Sequence, residues 1–493
     1  MLRRTLGLVL LVCGIGSAAG TADLIAHRNA VMRQIGDKGM LILYAAEPRI
    51  YDNDIDWPYH QEADFFYLTG LDEAGCTLAL VPGSPGHAVI FVPNSNPARE
   101  AWTGHILTHP EVRRISGIDD VRDAADRDAF LATLLPRASG VLIGEYQAHA
   151  RAVAARAEFP APEALYMILP PHPDSVEYHR EQDFAGTLAA IGPGVAIKDA
   201  GPIFDRLRSV KSPHEIGLLR RAVAITAEGF QRAFADAAPE VAEYEIQAQF
   251  EFTFLRRGGH WGYPSIVGSG VNATTLHYET NRARMHAGDL LLMDAAAEFA
   301  GYSADITRTI PVSGRYSDPQ AEIYRLVWEA QQAAIRAARP GRSVNRGADS
   351  MQAAANQVFG QGLYRLGLVT DPASEWQIKV WFNHGIGHSI GLDVHDPTPG
   401  ELQPGVVVTA EPGVYFRPNA LDVLPKDEES RKFAAAVRPA FDRYKGIGVR
   451  IEDDVLITAG EPEVISSAIP SKLEDVEAAI ARLRAEWKAR PPE

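Results

Sequence analysis

Asp294 and Asp305 bracket a segment that reads as strand, turn and strand, and this placement restricts the chain to folds that can neutralise two carboxylates on one sheet face. Leu290-Leu291-Leu292-Met293 has the unbroken apolar character of a buried strand and ends in Asp294. Residues 304–310 read as its partner and carry Asp305. With a turn centred on Phe299 and Ala300 and eased by Gly301, Asp294 stands opposite Asp305 and both point to the same face. Like charges across a ladder destabilise it, and burying two unpartnered carboxylates strongly raises at least one pKa. A bound divalent cation removes both penalties.

Three further candidate ligands follow downstream. His388 lies in the glycine-rich run 383–396, which also contains His384 and His395. Glu411 ends the strand-like run 406–409 and precedes Pro412-Gly413, a turn that holds a carboxylate at a strand end. Glu452 lies in 448–455, where a period of two places Arg450 on its face, so that Arg450 is expected to orient Glu452. Singly, each residue has an ordinary reading as a turn residue, a solvated histidine or a surface ion pair worth under about 1 kcal/mol. Their joint occurrence in this order points to a metal centre.

The 493 residues, 46% hydrophobic and 23% charged, suffice for two or more domains. A net charge of -15 argues against a nucleic-acid footprint, which calls for a basic patch. At the N-terminus, Arg3 and Arg4 precede the apolar run 6–15, and small residues fill 17–20. This pattern predicts a signal peptide over 1–20 and export to the periplasm or medium, by the general or the twin-arginine route. The apolar run is too short for a membrane anchor. Removal of that segment leaves Cys76 as the remaining cysteine, so no internal disulfide is expected.

Short apolar strands at 40–44, 77–81, 88–92 and 141–144, alternating with helical stretches, suggest an α/β domain over 21–206. Proline-punctuated segments at 159–162 and 170–173 read as surface connections. Ser212-Pro213-His214-Glu215 carries an N-cap, a proline at the first helical position and a glutamate at the third, opening a helix in a second domain over 207–493. Further helices are expected at 319–338, 352–368 and 473–487. The charged stretch 421–444 reads as an excursion between two strands, and 378–382 as a strand.

Asp294, Asp305, His388, Glu411 and Glu452 match, in order, the five-ligand pattern of the pita-bread metallopeptidases, the family of methionine aminopeptidase, aminopeptidase P and prolidase. The resemblance extends across the chain after the predicted signal. Residues 272–278 resemble the segment that delivers a catalytic histidine, here His277, and His384 and His395 resemble two further histidines of the proline-specific branch. Residues 59–70 and 100–104 are similar to the N-terminal domain of aminopeptidase P, with His60 where an arginine is common and the 421–444 stretch longer than usual.

The resemblance implies an α/β N-terminal domain followed by an α+β pita-bread, creatinase/aminopeptidase-like catalytic domain. It implies an Xaa-Pro aminopeptidase in which two divalent ions, manganese first and cobalt, iron or zinc as substitutes, share a bridging water that attacks the scissile carbonyl. In that scheme Asp305 and Glu452 bridge, Asp294 serves one ion, and His388 and Glu411 serve the other. Glu411 also accepts a proton. His277 and His395 stabilise the intermediate and pass a proton to the leaving nitrogen, and His384 shapes the proline pocket. The expected partners are peptides with proline in the second position, and further copies of the chain as a dimer or tetramer. Prolidase, which cleaves Xaa-Pro dipeptides, is the alternative, and a metal-free pita-bread binding module is a remote one, disfavoured because all five ligands are present. Residues 387–391 also fit a G-x-S-x-G elbow with Ser389 as nucleophile, but the histidine that follows, His395, is too close in sequence to occupy a separate loop.

Overall fold

Apolar runs and helix caps set the elements of the computed structural model, which describes residues 18–83, 86–133, 159, 162–169, 178–191 and 195–489. The predicted signal before residue 18, the strand at 141–144 and residues 160, 161 and 170–173 of the proline-rich connections lie outside the described residues. The chain divides into two compact units at Leu207 and Arg208.

In the first unit a six-stranded mixed sheet runs in the order Asp120–Asp123, His87–Val92, Thr77–Val81, Gly39–Tyr44, Ala164–Met167, Ala196–Asp199. Thr77–Val81 is antiparallel to both its neighbours, His87–Val92 and Gly39–Tyr44, and the remaining strands join in parallel. Every residue of Gly39–Tyr44 and Thr77–Val81 is buried, which is why both read as continuous apolar runs rather than alternating ones. Gln61 and Glu62, in the segment that resembles aminopeptidase P, have structural duties here. Glu62 caps the helix Ala63–Thr69, and Gln61 accepts from the Ala46 N–H at 2.8 Å.

The second unit repeats one plan: two helices, then strands. Helices Pro213–Asp236 and Glu243–Arg256 precede the sheet formed by Ile266–Ser269, Leu290–Asp294 and Thr307–Pro311. Helices Asp318–Ala337 and Met351–Arg365 precede Val407–Ala410, Gly413–Tyr415, Gly448–Arg450 and Asp453–Leu456. The first helix starts where Ser212 and Glu215 form a reciprocal capping box, with Glu215 Oε2 accepting from Ser212 N at 2.7 Å. Both helix pairs and both sets of strands contribute to one large apolar core.

One expectation gains detail and one changes: residues 421–444 do lie between two strands, Gly413–Tyr415 and Gly448–Arg450. Residues 421–444 contain a helix, Glu428–Tyr444, whose Phe433, Val437, Phe441 and Tyr444 recur at helical spacing and are buried. Its charges lie on the opposite face, which is why the stretch reads as a surface excursion. Residues 378–382 are no strand: Glu375–Lys379 is a short helix, and Trp381 and Phe382 that follow are buried in the core. No described helix is long and apolar enough to cross a membrane.

Candidate active site

The hairpin carrying the first two aspartates turns one residue later than expected. Ala300 and Gly301 are the central pair at φ 51° and 83°, Phe299 pairs with Tyr302, and Glu298 with Ser303. Positive φ at both positions is what a two-residue hairpin turn of the right twist requires. Asp294 therefore lies opposite Thr307, not Asp305. The correction shifts its partner by two residues, so facing is preserved. Both aspartates converge on the Tyr263 hydroxyl, 2.5 Å from Asp294 Oδ1 and 2.7 Å from Asp305 Oδ1.

The like-charge pairing expected of the aspartates is instead found between the glutamates. Ala410 lies opposite Asp453 in one ladder and Gly413 opposite Arg450 in the next, and this shared register sets Glu411 opposite Glu452 in the gap between them. At that gap the chain passes from one sheet to another, so Pro412-Gly413 joins two strands instead of forming a turn. Arg450 and Glu452 both line the cleft while Val449 and Ile451 are buried in the apolar core, as the period of two predicts, but Arg450 is not bonded to Glu452 directly. Its Nη2 donates to Asp294 Oδ2 at 2.6 Å and its Nε to Thr307 Oγ1 at 3.0 Å, and Thr307 Oγ1 in turn donates to Glu452 Oε2 at 2.6 Å. Arg450 thus orients Asp294 directly and touches Glu452 through Thr307.

His388 completes the group. Its Nδ1 lies 3.0 Å from the Ser389 carbonyl, which assigns a proton to Nδ1 and turns Nε2 towards Glu411 Oε1 (3.3 Å) and Asp305 Oδ2 (3.5 Å). Atoms of Asp305, His388 and Glu452 lie within 4.8 Å of one another, a spacing that one cation can bridge. Burial first, then the neighbouring carboxylates, hold Asp305 and Glu452 well above the usual carboxylate range, and burial raises Glu411 against the opposing influence of His388. Arg450 is the one Lys or Arg among the residues lining the cleft, set against four carboxylates. The single proton of the Tyr263 hydroxyl cannot serve two ionised carboxylates. An imidazole nitrogen free to ligate, amid carboxylate oxygens short of positive charge, fits divalent metal.

His277, His384 and His395 line the same cleft. His384 Nδ1 sits 2.8 Å from the Gly385 carbonyl and Nε2 2.9 Å from the Tyr415 hydroxyl, which also accepts from Arg450 Nη1 at 2.9 Å. Burial, then Arg450, lowers its pKa to about 3, so His384 is a neutral hydrogen-bonding group. The ring of His395 meets that of His388 edge to face with centroids 4.3 Å apart. Ser389 is fully buried, its Oγ without a hydrogen-bond partner among the described residues, which removes it as a nucleophile.

Four site residues escape sequence reasoning: Tyr263, Thr307, Thr409 and Tyr415. Thr409 Oγ1 donates to Glu411 Oε1 at 3.2 Å and accepts from His388 N at 3.0 Å. A signal was present for the threonines, since each stands two residues from a ligand carboxylate, Thr307 after Asp305 and Thr409 before Glu411. Tyr263 and Tyr415 carry no such local signal.

Residues 217–459 match metallopeptidase family M24, and residues 24–143 match the N-terminal domain of aminopeptidase P. The chain is 34% identical to the Xaa-Pro aminopeptidase of Haemophilus influenzae over 463 residues, covering 92% of this chain and 95% of that one. It is 31% identical to the Xaa-Pro aminopeptidase of Escherichia coli, covering 93% of this chain and 97% of that one. A solved structure of Escherichia coli aminopeptidase P with the inhibitor Pro-Leu aligns at a TM-score of 0.79 and 29% identity, covering 94% of this chain and 99% of that one.

Proposed function

This chain belongs to the Xaa-Pro aminopeptidases of metallopeptidase family M24 and is a hydrolase, and we propose that it uses two divalent cations to release the N-terminal residue from peptides with proline in the second position. The observation that carries the two-cation reading is the set of four carboxylates that line the cleft with His388, facing Arg450 as the cleft's one fixed cation. Asp305 and Glu452 would serve both ions, Asp294 one of them, and His388 with Glu411 the other. Cations held there supply Lewis acidity and a water acidic enough to attack near neutral pH. Manganese is the metal best suited to this oxygen-rich set.

The protein's own groups then have separate duties. Glu411, raised by burial and held by Thr409, accepts a proton from the attacking water. Arg450 fixes Asp294 and, through Tyr415, keeps the His384 ring in place to shape the proline pocket. His277 and His395 face developing charge on the scissile carbonyl and deliver a proton to the leaving nitrogen. A tertiary amide offers no N–H to grip, so recognition falls to the shape of the proline pocket and to carboxylates that favour the substrate's free ammonium.

A peptide panel tests the specificity. Metal-loaded protein is expected to release the first residue from Xaa-Pro-Xaa tripeptides and longer peptides. Rapid cleavage of Xaa-Pro dipeptides with intact tripeptides assigns prolidase instead. The proposal extends to export with loss of residues 1–20, supported by Arg3, Arg4 and the apolar run that follows. N-terminal sequencing of the exported chain is expected to start at residue 20 or 21, and a start at Met1 refutes export with cleavage. Assembly as a dimer or tetramer is likewise proposed, and a monomer in sedimentation at working concentration refutes it.

A further inference from the structure

His395 reaches the cleft from a tight loop built around a buried ionic group that takes no part in the chemistry above. The loop leaves at Ser389 and returns at Asp396, whose N–H donates to the Ser389 carbonyl at 2.9 Å. The Asp396 carboxylate sits inside it. Asp396 Oδ1 accepts from Arg208 Nη2 at 2.5 Å and from Asp393 N at 3.3 Å, and Oδ2 accepts from Lys211 Nζ at 3.0 Å. Arg208 Nη2 also donates to Asp393 Oδ2 at 2.5 Å. The side chains of Lys211 and Asp396 are each 1% exposed and that of Arg208 6%, whereas Asp393 is half-exposed. Gly391 gives the loop its clearance, since a Cβ there would lie 2.6 Å from Asp396 Oδ2.

Lys211 is itself anchored, its N–H donating to the Gly405 carbonyl at 3.0 Å just ahead of the helix Pro213–Asp236. Neither Lys211 nor Arg208 lines the cleft. Burial opposes ionisation of Asp396, but Lys211 and Arg208 outweigh it and hold the carboxyl below its usual range. A buried ion group of this kind gains little stability over apolar packing of the same volume, and what it does supply is a fixed geometry. The residue it fixes most closely in sequence is His395, joined to Asp396 by one peptide bond and packed against His388.

We infer that Lys211 and Arg208, acting through Asp396, are positioning residues that set the His395 imidazole for the hydrolysis of Xaa-Pro peptides. The inference rests on the function proposed above. Its test is a double-mutant cycle on metal-loaded protein with an Xaa-Pro-Xaa tripeptide, combining Lys211→Met with His395→Ala. Lys211→Met alone is expected to lower kcat about 10- to 100-fold with KM little changed. Lys211→Arg restores most of that loss. In the His395→Ala background Lys211→Met costs nothing further. A kcat within about twofold of wild type, or an equal fold-loss with and without His395, overturns the inference, twofold being the additivity error of independent sites. Should Lys211→Met not fold, Asp393→Asn enters the same cycle: a smaller kcat loss that vanishes without His395 supports the inference, and no loss or a persistent one overturns it. Wild-type protein inert on tripeptides sinks the functional reading and this one together, whereas active wild type with unaffected Lys211→Met sinks this one alone.

Discussion

Each candidate ligand carboxylate is held by a neighbour that limits what it can do. Asp294 has one oxygen on Tyr263 and the other on Arg450, Glu452 takes the Thr307 hydroxyl, and Glu411 takes that of Thr409. Asp305 is buried, and Asp294, Glu411 and Asp454 add like-charge repulsion to that burial. Its folded pKa lies above its unfolded value, so the stabilising protonated form is complete below the unfolded pKa and is lost as pH rises through the folded one. In chelator-treated protein, Asp305→Asn is therefore expected to raise the melting temperature at about pH 8, a gain that shrinks on acidification towards pH 4. With manganese bound the same substitution is expected to lower it, because a ligand that stabilises the folded state has been weakened. Thermal melts with and without chelator check the pair, and a fall under both conditions contradicts a cluster strained by unneutralised charge.

At the scale of elements, the sequence was legible wherever a local rule acts on its own. The Ser212 capping box, the buried strand Leu290–Asp294 and the helix Leu473–Lys488 stand close to where pattern and caps place them. Register was harder, because a turn on Phe299 and Ala300 and one on Ala300 and Gly301 differ only in which residue accepts positive φ. The Glu411 and Glu452 juxtaposition was invisible, since it depends on two ladders sharing one register across a break that no residue marks. The period of two set Arg450 on the cleft beside Glu452, and what it could not give was the direct partner, Asp294, which another strand brings in. The helix Glu428–Tyr444 was hidden by its charge, yet Phe441 is fully buried with its ring 5.7 Å from Trp381. Phe441→Ala is expected to cost about 3–5 kcal/mol in denaturant unfolding. A loss under about 0.5 kcal/mol, the range of surface substitutions, would make the helix a dispensable insertion.

Across the whole molecule, the five ligand candidates come from both halves of one unit: Asp294 and Asp305 from the first hairpin, His388, Glu411 and Glu452 from the second set of strands. Each half alone carries excess negative charge towards a shared cleft, so metal binding and the joining of the halves are coupled in this scheme. The unequal positions of the aspartates then have a global consequence, since Asp305 touches His388 and clusters with Glu452 while Asp294 is tied to Arg450. Asp305→Ala should disturb both metal positions and Asp294→Ala mainly one. The most direct measurement is metal content per chain followed alongside tripeptide turnover as manganese is returned to chelator-stripped wild type, Asp294→Ala and Asp305→Ala. Two ions per wild-type chain with recovery of turnover, one retained in Asp294→Ala and neither held firmly in Asp305→Ala, is the predicted result. Full turnover from stripped wild type, saturation at a single ion, or equal single-ion loss in the two variants would contradict it.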